Sequence, residues 1–178
     1  MRALSVLAVI AAHAGLPGLP GGFTGVDVFF VISGFLITRL LLAEVDATGR
    51  IDLLVFWARR CRRLLPNAFA ALIGTVLIAV FLFPGYDLIV LAREVKYAAL
   101  EIANFYFIDK GVDYFGSDLR ASPVLHFWSL SVEEQFYIGW PLLLSGLAVA
   151  FGASYRRAAV VLLAIIWCAS FALCVSLT

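Results

Sequence analysis

Two histidines, several carboxylates and a run of arginines stand within or beside sequence apolar enough to lie in lipid. Ionisable side chains are costly at bilayer depth, so each one is a candidate for function. Arg2 and His13 are eleven residues apart, and on a helix that spacing returns to nearly the same face, about 16 Å along the axis. A neutral imidazole accepts a proton from a hydroxyl near neutral pH, and it is nucleophilic enough to carry an acyl group briefly. The competing reading of His13 is a packed histidine that donates a hydrogen bond to a neighbouring carbonyl. Asp27 opens the next apolar run, near the level where His13 is expected to emerge. A carboxylate there would hold the imidazole tautomer and stabilise its protonated form. Aspartate also caps helix N-termini, and the two roles are compatible.

The densest constellation occupies residues 122–137, SPVLHFWSLSVEEQFY. On a helix starting near Val124, the side chains of His126, Ser129, Glu133, Tyr137 and Trp140 form a polar stripe on an otherwise apolar surface. Adjacent carboxyls such as Glu133 and Glu134 at the head of a membrane helix must face a cavity, pair with a cation or share a proton. The alternative is an interfacial cap, with Trp128 and Tyr137 in an aromatic belt at headgroup depth. Arg59, Arg60, Arg62 and Arg63 precede Pro66. They read either as a positive-inside signal or as a phosphate-gripping cluster for a nucleotide-bearing acyl donor, with Arg39 assisting. Ser33-Gly34 reads as a close helix-packing notch rather than a nucleophile.

Positioning these groups requires helices in a bilayer. Of the 178 residues 63% are hydrophobic and 14% charged, with a mean hydropathy of +1.02, whereas soluble domains average about 45–50% apolar and about 25% charged. The formal net charge of +1 supplies no basic field for nucleic acid. Five apolar runs, 3–14, 28–42, 66–83, 135–151 and 158–178, are expected to be spans. The arginine cluster then falls in a loop between the second and third, and Arg156 and Arg157 fall between the fourth and fifth. The positive-inside rule places both loops, and the N-terminus, in the cytoplasm. Residues 15–22 and 84–125 lie outside. The longer outer segment is expected to hold an amphipathic interfacial helix over 91–108, then a polar loop to Ser122-Pro123; a tilted extra span is the alternative. A secretory signal peptide ending at Ala12-His13-Ala14 competes for the first run. Cys61, Cys168 and Cys174 match neither a zinc spacing nor a disulfide framework, and no metal site is expected.

Four ordered stretches, the Arg2/His13 spacing, GGFTGVDVFFVISGFLIT at 21–38, FWARRCRRLLP at 56–66 and HFWSLSVEEQFYIGWPLL at 126–143, resemble successive motifs of the acyltransferase-3 membrane proteins. The resemblance implies an all-α, polytopic transmembrane helix bundle, with about five of roughly ten spans present in one partial domain, 1–178, and no second domain. It implies transfer of an acyl group, acetyl above all, from a cytoplasmic acyl-CoA to a hydroxyl of an extracytoplasmic carbohydrate or similar acceptor. By the same matching, His13 is the essential histidine and Arg2 its partner. Arg60 and Arg63 fall on the donor-binding R-x-x-R element, and His126, Glu133 and Glu134 fall on the fourth-span motif that lines the acceptor side or tunes His13. A proton-coupled transporter or flippase subunit is the alternative, since buried His, Asp and Glu also build proton relays.

Overall fold

The computed structural model describes residues 2–14, 24–82, 88–111 and 122–177. The side chains of Arg2 and His13, the 15–22 stretch and the polar loop over 112–121 lie outside the described residues. Every regular element described is helical: α1 Arg2–His13, α2 Gly25–Thr48, α3 Leu53–Leu82, α4 Leu88–Ala99, α5 Ala103–Asp109, α6 Phe127–Phe151 and α7 Tyr155–Leu177. Helices α2 and α3 and the stretch Phe127–Leu177 are long and apolar enough to cross a membrane. A short 3-10 turn, Gly152–Ser154, divides that stretch into α6 and α7. The twelve residues of α1 rise only about 18 Å, less than the roughly 30 Å of a hydrocarbon core.

Helix α6 is the hub. Phe30 meets Trp128 edge-on with centroids 6.4 Å apart, and Trp140 Nε1 donates to Thr38 Oγ1 at 2.8 Å. Tyr155, just past α6, donates to Asp46 at 2.7 Å. The partners advance together along both helices, so α2 and α6 run parallel. Trp57 of α3 instead meets Tyr137, while Leu64 and Ala71 share a cavity with Phe127 and Glu133; α3 is therefore antiparallel. The ends carrying the α2–α3 and α6–α7 turns consequently lie on one side of the bundle, as the distribution of arginines implied. Past Ala159, α7 has no buried residue and presents side chains such as Trp167 and Phe171 outward.

Two expectations are corrected. The arginine cluster is not in a loop, because α3 starts at Leu53 and runs through Pro66 unbroken. Proline lacks the N–H that would bond the Arg62 carbonyl four residues earlier. The helix continues past it all the same, with Asn67 Nδ2 donating to the next carbonyl, that of Arg63, at 3.2 Å. The thirty residues of α3 extend about 45 Å, so its first ten or so residues reach beyond the hydrocarbon and carry the arginines to the interface.

The outer segment is likewise not one helix over 91–108 but two short ones, α4 and α5. Helix α4 folds back along α3, bringing Ala98 into one apolar cluster with Leu72, and α5 returns antiparallel to α6, where Phe107 joins Val124 and Phe127. The two form a helical hairpin packed against α3 and α6. Its tip is a Schellman-type stop: the Ile102 N–H bonds the Tyr97 carbonyl at 3.0 Å and the Glu101 N–H bonds Ala98 at 3.1 Å. Glu101 takes the left-handed position, with φ 55°. Ser131 and Gln135 of α6 hold the tip. Ser131 Oγ accepts from the Ala103 N–H at 3.2 Å, and the Gln135 amide bonds the Glu101 carbonyl and exchanges hydrogen bonds with Asn104.

Candidate functional site

Four helices converge on a cavity of about 440 Å³, with walls from Val9 of α1, Phe29 of α2, Ala68 of α3 and Leu130 of α6. The polar groups on it are Asn67, His126, Ser129 and Glu133. Apolar walls with a few converging polar groups are the usual make-up of a small-molecule site. Entry of α1 depends on one glycine. A Cβ at Gly25 would sit 2.5 Å from the Ser5 carbonyl oxygen, so the close-packing notch is here. At Gly34 an added Cβ would make only ordinary contact with Phe136, and neighbouring Ser33 is buried with its hydroxyl unpartnered among the described residues.

The floor beneath the cavity is a polar cluster on α6 and α3. Tyr137 is 2% exposed and donates its hydroxyl to Glu133 Oε1, itself on a residue only 6% exposed. Tyr137 therefore belongs to the interior and not to an interfacial belt. The Arg60 guanidinium lies over the Tyr137 ring, 4.9 Å from its centroid, and 5.5 Å from that of Phe56. Such a stack is worth about 0.5–2 kcal/mol, most when desolvated. Pro141, inside α6, cannot supply the N–H due to the Tyr137 carbonyl. Trp57 Nε1 supplies it instead, at 3.0 Å. The missing helical bond is thus replaced by one that locks α3 to α6 beside Glu133.

The anticipated residues separate into those that meet and those that do not. His126 and Glu133 share the cavity, and Arg60 joins them through Tyr137. His126 is exposed at the N-cap position of α6, where its carbonyl accepts from Ser129 Oγ at 3.0 Å. Arg63, one turn on from Arg60, is exposed. Asp27 is exposed in the first turn of α2, where Thr24 takes the N-cap position; a carboxylate there is favoured by the helix dipole. Gly25 packs on Ser5, eight residues before His13, a separation of about 12 Å along a helix. Glu134 turns the other way, toward the hairpin tip, where its charge interacts with that of Glu101. Glu134 Oε1 and Glu101 Oε2 are buried and without hydrogen-bond partners among the described residues. Glu101 was not among the anticipated residues. Its sequence signal is a lone carboxylate within the apolar run 97–108.

Fold and site together define a membrane helix bundle with a polar constellation embedded among its helices. The sequence profile of the acyltransferase-3 group, described as an acyltransferase domain, matches residues 1–178, and the chain belongs to that family. It is 43% identical over 151 residues to the O-acetyltransferase OatA of Staphylococcus aureus (strain NCTC 8325 / PS 47), a match covering 85% of this chain and 25% of that protein. A putative O-acetyltransferase of Staphylococcus aureus (strain COL) is 43% identical over 156 residues, covering 88% of this chain and 26% of the relative. The chain thus spans about a quarter of the length of the curated relatives it matches. No solved structure matches it significantly.

Proposed function

We propose that the protein is a multi-pass cell-membrane O-acyltransferase, with its N-terminus cytoplasmic and its 178 residues belonging to one transmembrane domain. It would move an acyl group, acetyl above all, from cytoplasmic acyl-CoA to a hydroxyl of an extracytoplasmic carbohydrate or similar acceptor. The observation that carries this reading is the four-helix cavity in which His126, Ser129 and Glu133 meet. Membership of the family and the names of the relatives support it. His13, with Arg2 on the same helix face, serves as general base or transient acyl carrier. The acceptor oxygen bonds the acyl carbon, the carbon–sulfur bond breaks, and the hydroxyl proton passes through the imidazole to the departing thiolate. Asp27 contributes negative charge on the side of the bundle where α2 begins. His126 and Glu133, the latter held by Tyr137, line the acceptor side, with Glu134 behind them against the hairpin tip. Arg60 and Arg63 attract the donor's phosphates at the arginine-bearing end.

The test is mass spectrometry of acyl esters on envelope glycans in cells that make the protein, cells that lack it and cells with His13→Ala. Loss of esters in both altered strains is the expected result. Loss only in cells lacking the protein would move the base to His126 with Glu133, and unchanged esters in those cells would rule against a glycan acceptor.

A further inference from the structure

A second cavity, of about 380 Å³, lies at the opposite end of α2 from the first, where α2 finishes and α7 begins. Arg39, Arg156 and Asp46 supply its charges, and Thr38, Phe35 and Leu42 complete its walls. Asp46 is already committed: it accepts hydrogen bonds from the Tyr155 hydroxyl and from Arg156. That pairing fixes the Arg156 guanidinium at the cavity while neutralising its charge. Arg39 is exposed and, among the described residues, makes no hydrogen bond or ion pair. Two guanidiniums against one carboxylate leave the cavity a net positive charge. A guanidinium nine residues inside the end of an apolar membrane helix is expensive unless something compensates it. Above Arg39 the same face of α2 continues as Phe35, Val31 and Val28, which are 63%, 72% and 48% exposed. These four positions recur at spacings of three and four residues, so they form one stripe about 16 Å long.

We infer that this groove holds one anionic phospholipid, its phosphate gripped by Arg39 and Arg156 and an acyl chain lying along Phe35, Val31 and Val28. The planar fork of Arg39 matches two phosphate oxygens at once, and Arg156 supplies the second guanidinium. The apolar stripe distinguishes the occupant from a water-soluble phosphate, which would leave it uncovered. This site is separate from the cavity assigned to acyl transfer and does not depend on that assignment. It is tested by native mass spectrometry of the whole protein in detergent, with phosphatidylglycerol and phosphatidylcholine of identical chains as probes. Both phosphates can accept from the guanidiniums, but the choline cation cancels the charge of phosphatidylcholine and is repelled by the net positive cavity. Phosphatidylglycerol is therefore expected to be retained at least about tenfold more strongly. Arg39→Gln should remove the preference, and Arg39→Lys should keep part of it. Circular dichroism of each variant checks that it is folded. An unchanged preference in folded Arg39→Gln, or displacement of the lipid by excess free coenzyme A, would overturn the inference.

Discussion

The Trp57 indole and Pro141 are coupled through an atom belonging to neither. Pro141 deprives the Tyr137 carbonyl of its helical donor, and Trp57 restores one across the helix interface. Replacing the indole by a ring without an N–H, Trp57→Phe, orphans that carbonyl in a buried setting. The expected cost is about 1–3 kcal/mol, read as a lower unfolding midpoint in detergent. In a Pro141→Ala background the backbone again has its own N–H, so the same substitution should cost markedly less. Equal costs in both backgrounds would mean that the indole contributes only packing. The coupling was not legible in advance. The sequence shows a tryptophan, a tyrosine and a proline, but not that α3 would deliver position 57 to the one α6 carbonyl that needed a donor.

At the scale of elements, legibility followed hydropathy and failed where polar residues interrupt it. Helices α2, α6 and α7 coincide with expected apolar runs because runs of that length have few alternatives in lipid. Residues 53–65 of α3 read as loop in the sequence because arginines and Pro66 are ordinary boundary signals, whereas a helix longer than the bilayer is thick can carry both. The α4–α5 hairpin was hidden for a different reason. Its stop places glutamate where glycine is the common residue, so the sequence lacked the usual punctuation. A side chain in the left-handed region costs on the order of 1 kcal/mol. Glu101→Gly should therefore raise the unfolding midpoint, since it removes that strain and a partly buried carboxyl with an unpartnered oxygen. A lowered midpoint would show that the carboxyl makes a stabilising contact that outweighs the backbone cost.

For the whole molecule, the hairpin decides whether the count of crossings survives. Helix α4 enters beside α3 and α5 leaves beside α6, so the segment begins and ends on one side of the bundle, the side toward which α3 runs and from which α6 starts. The α2–α3 turn at Gly49 and the α6–α7 turn at Ser154 then share the other face, joined by the Tyr155 to Asp46 bond. Single cysteines report this directly once the exposed Cys61, Cys168 and Cys174 are replaced by serine. With a membrane-impermeant maleimide on sealed vesicles of defined orientation, Gly49→Cys and Ser154→Cys should label from one side and Lys110→Cys from the other. Leu100→Cys, at the hairpin tip, should label slowly from both. Labelling of Lys110→Cys from the same side as Gly49→Cys would mean that residues 88–109 cross the bilayer. The polar seam of Ser131, Gln135 and Asn104 argues against that outcome: it secures the tip against the first third of α6, and in lipid the backbone groups of a broken helix are tolerated only where protein satisfies them.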